Sequence, residues 1–111
     1  MKKVLIIDDE VDLCLMIRQF LSRRNYEVHI AHTLTDGINY LKIITPDVLI
    51  LDNNLPDGMG WDAARSLHEK YPEMKITLIS AYKLARDLSG GMDHIKVLEK
   101  PVSLLEIEQH L

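Results

Sequence analysis

Five short runs rich in β-branched apolar residues recur along the chain, at 3–7, 27–31, 47–51, 75–79 and 95–98. Each is too short for a helix, and the stretches between them carry apolar residues at helical spacing. Leu13, Ile17, Phe20, Leu21 and Arg24 recur at that spacing and predict a helix over 11–24. Thr35-Asp36-Gly37 opens a second, which carries Ile38, Leu41 and Ile44 and is stopped by Pro46. Ala64, Leu67, His68 and Tyr71 share one face of a helix over 61–71, ended by Pro72. A shorter helix over 82–88 closes on Ser89-Gly90-Gly91. Ser103 caps a last one, with Leu104, Leu105, Ile107 and Leu111 as its apolar face. Residues 53–60, with Pro56, Gly58 and Gly60, read as a loop.

Strand followed by helix, five times over, admits few architectures. Strands that are apolar on both faces must be covered on both faces. The expectation is therefore an α/β fold, a doubly wound five-stranded parallel sheet with helices on both sides and right-handed crossovers. The 111 residues suffice for one such domain, spanning 1–111, with a core of its own.

Composition narrows the function classes. A hydrophobic content of 47% excludes a disordered chain, and a net charge of −4 argues against nucleic-acid binding. Arg23-Arg24 falls at the polar end of a helix and reads as a solvated pair. Cys14 is the only cysteine, so no internal disulfide forms; within Leu13-Cys14-Leu15-Met16-Ile17 it reads as a buried small hydrophobe. The apolar run after Met1-Lys2-Lys3 is too short for a signal peptide, and no stretch approaches the roughly 20 apolar residues of a membrane span. A soluble protein of the reducing cytoplasm, with no membrane partner, is expected.

The ends of the strands carry the chemistry. The first strand runs into Asp8, Asp9 and Glu10, the third into Asp52, the fourth into Ser80, and Lys100 lies just past the fifth. Ligands of open parallel sheets bind at these carboxyl ends. Singly, each residue has a plainer reading: an N-cap, a turn, a solvated loop acid, and for His32 after the second strand a surface side chain. Their shared edge is the signal. Carboxylates at about 4 Å repel by several kcal/mol at an effective dielectric near 20, so such a cluster calls for a cation. An oxygen-rich, watery site suits Mg²⁺, which uses few carboxylates and keeps several waters. Lys100 adds a point charge suited to phosphate and Ser80 a hydroxyl donor. Metal, ammonium and hydroxyl around one carboxylate make a site for a phosphoryl group.

At this point the chain resembles the receiver domain of two-component response regulators. The resemblance rests on Ile7-Asp8-Asp9-Glu10, Leu51-Asp52-Asn53-Asn54-Leu55-Pro56 with Gly60, Ser80-Ala81-Tyr82 and Glu99-Lys100-Pro101. It implies the flavodoxin-like strand order 2-1-3-4-5. It implies Asp52 as phosphoacceptor, Asp8 and Asp9 as the Mg²⁺ pair with Asp9 favoured as direct ligand, and the backbone carbonyl of Asn54 as a further ligand. Ser80 matches the switch hydroxyl, Lys100 the phosphate-binding lysine, and Lys100-Pro101 the family's cis peptide bond. The implied donor is a phosphohistidine on a histidine kinase or histidine phosphotransfer protein, and the implied recipient of the signal is an effector protein or a linked output domain. A homodimer is also compatible with the resemblance. The chain departs from the pattern at Val97, where the family usually places an aromatic, and the segment from Ser80 to Lys100 is about two residues short.

Three other readings compete. A phosphorylation-independent interaction module would draw on the altered Val97 position. A Mg²⁺-dependent phosphohydrolase with an aspartyl nucleophile on the first strand would need Asp8 and Glu10 to stand in for a D-x-D pair, and no cap domain is present. A nucleotide-binding domain lacks its glycine-rich phosphate cradle after any strand.

Overall fold

The computed structural model describes residues 1–81 and 95–111. The elements are β1 (Lys2–Ile7), α1 (Val11–Ser22), β2 (Tyr26–Ala31), α2 (Leu34–Leu41), β3 (Val48–Asp52), β4 (Asn54–Leu55), β5 (Gly58–Met59), α3 (Gly60–Lys70), β6 (Lys75–Ser80), β7 (Ile95–Glu99) and α4 (Leu104–Gln109). Five strands form one parallel sheet in the order β2-β1-β3-β6-β7. Counting only these five, the order is 2-1-3-4-5, and the flavodoxin-like fold expected from the sequence is the one observed.

Period-two alternation divides the strand side chains between two cores. Leu5, Ile7, Leu49, Leu51, Ile76 and Leu78 pack against Leu34 and Leu41 of α2 and Ala64 and Leu67 of α3. Val4, Ile6, Val48, Ile50 and Ile79 face Cys14, Ile17 and Leu21 of α1 and Ile107 of α4. The same alternation aims the acids. Asp8 follows Val4 and Ile6, and Asp52 follows Val48 and Ile50, so both leave the sheet on the α1 side. β1 and β3 are neighbours in register, with Ile7 opposite Leu51, and the acids lie one step beyond that pair.

Several local expectations change. α1 stops at Ser22 because Asn25 takes a left-handed φ of 67°, and the Arg24 amide turns back to the Leu21 carbonyl at 2.9 Å. Arg24 is also not simply solvated: its guanidinium lies 3.7 Å over the Phe20 ring and pairs with Glu108 at 2.9 Å. α2 ends at Leu41, so Ile44 packs on the core from outside the helix. Ser103 caps α4 as expected, in a reciprocal capping box with Glu106. Leu105, expected on the apolar face of α4, points outward. The loop over 53–60 contains a small antiparallel hairpin, β4–β5. The helix expected over 82–88, with Tyr82 and the Ser89-Gly90-Gly91 stop, lies outside the described residues. No helix among the described residues is long and apolar enough to cross a membrane.

Candidate functional site

Asp8, Asp9 and Asp52 each offer a carboxylate oxygen to one small region, with these atoms within 4.8 Å of one another. Asp8 and Asp52 are buried and Asp9 is exposed. Across from them, Lys100 Nζ lies 3.4 Å from Asp8 Oδ2, 3.6 Å from Asp52 Oδ1 and 2.9 Å from Glu10 Oε1. Glu10 is thus the nearest anion to the ammonium, although the spacing of the acids alone gave it no role.

Backbone contacts fix the frame. The Asp8 amide donates to the Ala31 carbonyl of β2 at 3.0 Å. The Asp8 carbonyl meets His32 Nδ1 at 2.8 Å and accepts from Cys14 Sγ at 3.4 Å. His32 is an exposed side chain, as expected, but it buttresses the first acid from behind. One Asp8 oxygen, Oδ1, accepts from the Glu10 amide at 2.9 Å. The other, Oδ2, is buried and accepts no hydrogen bond.

Asn53 anchors the opposite wall. Its amide donates to the Ile79 carbonyl at 2.8 Å, its carbonyl accepts from Gly60 at 2.8 Å, and its Oδ1 accepts from the Trp61 amide at 2.9 Å. The Asn53 backbone therefore ties β3 to β6 and to Gly60, and its buried side chain adds a second tie to the start of α3. Asn53 is missing from the sequence-derived site because its role depends on two elements meeting in space. Asn54 follows on β4 with an exposed side chain. Ser80 is buried at the end of β6, one residue beyond Ile79, the partner of Asp52 in the sheet. The Ser80 carbonyl accepts from the Lys100 amide at 2.8 Å, and the Lys100–Pro101 peptide is cis. Val97 is partly buried against the α3-side core.

The electrostatics follow from burial. Desolvation, and then the neighbouring Asp8, push the Asp52 carboxyl up to about 6, against the pull of Lys100 and the Asn54 amide. Desolvation raises Asp8 as well, only partly offset by the Glu10 amide and Lys100. Burial draws the Lys100 ammonium down, but Glu10, Asp8 and Asp52 together raise it above its ordinary value. The site is short of positive charge, and the buried Asp8 Oδ2 is faced by the Lys100 ammonium at 3.4 Å. All the convergent donors are oxygens. A hard divalent cation such as Mg²⁺ fits this set, with Asp8, Asp9 and Asp52 as its side-chain holders.

A parallel α/β sheet with an acidic cluster and a lysine at its carboxyl edge is matched by a family model. The response regulator receiver domain model covers residues 4–111. The chain belongs to this family. Its fold is similar to that of a response regulator receiver domain protein from Clostridium thermocellum, at 24% identity over 99% of this chain and 90% of that one, with a TM-score of 0.88. A two-component response regulator from Clostridium difficile aligns at 21% identity, 98% and 91% coverage and a TM-score of 0.89. The chemotaxis response regulator CheY4 of Vibrio cholerae aligns at 23% identity, 98% and 97% coverage and a TM-score of 0.86.

Proposed function

We propose that this receiver domain is a phosphorylation switch that accepts a phosphoryl group on Asp52 in a Mg²⁺-dependent reaction. The observation that carries this reading is the crowding of three carboxylates, two of them buried, against a single lysine. Such a cluster costs folding energy unless it serves a cation and an anion in turn. When bound, Mg²⁺ would offset the carboxylate charge and draw in a phosphoryl oxygen.

The chain's own groups supply the rest. Asp8, Asp9 and the Asn54 carbonyl are assigned to the metal. An Asp52 oxygen attacks phosphorus as the P–N bond of a phosphohistidine breaks, and the imidazole leaves with that electron pair and takes up a proton from water. Lys100 faces the charge that develops on the phosphoryl oxygens, and the Ser80 hydroxyl donates to one of them. Water attacking the phosphorus later regenerates the carboxylate and releases inorganic phosphate. The donor is a histidine kinase or histidine phosphotransfer protein, and the phosphorylated face is read by an effector protein or a linked output domain. The soluble, cytoplasmic setting of such signalling is part of the same reading.

Incubation with Mg²⁺ and acetyl phosphate, followed by intact-mass measurement, tests this directly. The wild type gains the mass of one phosphoryl group and Asp52→Asn gains none. Uptake by Asp52→Asn equal to wild type, or no uptake by wild type, removes the assignment.

A further inference from the structure

The hairpin that follows Asp52 is fastened at its base by Asn53, and its tip reaches another element altogether. Asp57 Oδ1 accepts from the Leu34 amide at 2.8 Å. Asp57 Oδ2 accepts from the Thr35 amide at 2.9 Å and from Thr35 Oγ1 at 2.7 Å. These are the first two amides of α2, which have no partner within the helix itself. The helix's own cap, Thr33, takes the next amide, Asp36, at 3.1 Å. The cap work on α2 is thus shared between an adjacent residue and one more than 20 positions away. Beside Asp57, Gly58 packs against Leu34: a Cβ at position 58 would stand 2.7 Å from Leu34 Cδ1.

We propose that Asp57 is a positioning residue for the acidic pocket: by clasping the β4–β5 hairpin to the N-terminus of α2, it holds the Asn54 backbone in place beside Asp52. The hairpin is only two residues per strand. A ribbon that short has little stability of its own, so its geometry depends on what it is attached to. Asn53 holds one end through three hydrogen bonds. Asp57 holds the other with two carboxylate oxygens on three donors. The carboxylate suits this place because it meets the positive end of the helix dipole, and those amides hold its acid form down, the Thr35 amide most and the Leu34 amide next. The consequence for function rests on the Mg²⁺-dependent reading above, in which the Asn54 carbonyl is a metal ligand.

The experiment compares Asp57→Ala and Asp57→Asn with Thr33→Ala, which weakens the same helix end without touching the hairpin. Two quantities are read: the Mg²⁺ dissociation constant, from the fluorescence of Trp61, the sole tryptophan, and amide hydrogen exchange. Asp57→Ala should raise the Mg²⁺ dissociation constant about 10-fold and speed exchange at Leu34, Thr35 and Asn54. Asp57→Asn, which keeps one acceptor oxygen, should fall between it and wild type. Thr33→Ala should speed exchange in α2 and leave both Asn54 and the Mg²⁺ constant near wild type. An Asn54 amide unmoved by Asp57→Ala overturns the proposal, as does a Thr33→Ala variant that loses Mg²⁺ affinity equally. If wild type itself binds no Mg²⁺, the proposed function fails, and the exchange at Asn54 still decides the clasp.

Discussion

Asp52 shows how a single buried carboxylate can couple stability to protonation. Its acid is raised from 3.8 to about 6 in the folded domain, a preference for the neutral form worth roughly 2–3 kcal/mol. Between those values the folded state binds more protons than the unfolded state. Stability contributed by this group is therefore present at low pH and lost as pH rises through about 6. Asp8, raised in the same direction, adds to the slope. In EDTA, the urea midpoint of the domain should fall between pH 5 and pH 7, and Asp52→Asn should flatten that fall and stand above wild type at pH 7. A wild type and variant with parallel profiles would show that the crowding is relieved in some other way. At this scale the sequence was informative in one respect and silent in another. The convergence of Asp8, Asp9, Asp52 and Lys100 was legible because strand ends in a parallel sheet share an edge. Glu10 gripping Lys100, 90 positions away, was not, since nothing local distinguishes it from a solvated acid.

At the scale of elements, the approach of α3 to β3 sets the tolerance of the site. Gly60 begins α3, and a Cβ there would collide with the Asp52 carbonyl and stand 3.0 Å from Asn53 Cα. These are backbone atoms, which no rotamer change can clear. Gly60→Ala should cost on the order of 1–3 kcal/mol and slow phosphoryl uptake, because the backbone of Asp52 and Asn53 has to shift. Chemical denaturation and uptake from acetyl phosphate measure the two effects, and an alanine variant equal to wild type in both would refute the close packing. The strands were readable from apolar runs alone, because burial on both faces leaves little freedom in composition. The helix ends were less so. Asn25 stops α1 through a left-handed backbone that periodicity does not register, and Leu105 faces outward because Leu104, Ile107 and Leu111 share the core-facing side and position 105 lies about 100° round the helix from 104. The β4–β5 hairpin left no trace in the pattern, since two-residue strands are shorter than any periodicity can reveal.

Across the whole molecule, the two cores and the acidic edge pull in opposite directions. The sheet buries Leu5, Ile6, Ile7, Leu49, Ile50 and Leu51 completely or nearly so, and that burial offsets the cost of holding anions together at its end. A ligand that neutralises the edge then acts on the stability of the entire domain, by an amount that grows with the logarithm of its concentration over its dissociation constant. Mg²⁺ should raise the melting temperature at pH 7.5, raise it less at pH 5 where Asp52 takes up a proton, and have little effect on an Asp8→Asn, Asp9→Asn double variant. Equal shifts in wild type and the double variant would place the bound ion elsewhere. The strand order was legible only through the family resemblance, because apolar runs say that strands are buried and not which one lies next to which.

The sulfur of Cys14 has a practical consequence. It is fully enclosed, its proton is directed at the Asp8 carbonyl, and burial, with Asp8 next in strength, pushes the thiol up to about 12. In the native state it is therefore shielded from alkylating and disulfide reagents, both by lack of access and by lack of thiolate. Since the chain has no second sulfhydryl, the rate at which such a reagent consumes the protein counts openings of the α1 side of the core. The molecule carries its own chemical clock for losing its structure, and occupancy of the acidic edge should slow it.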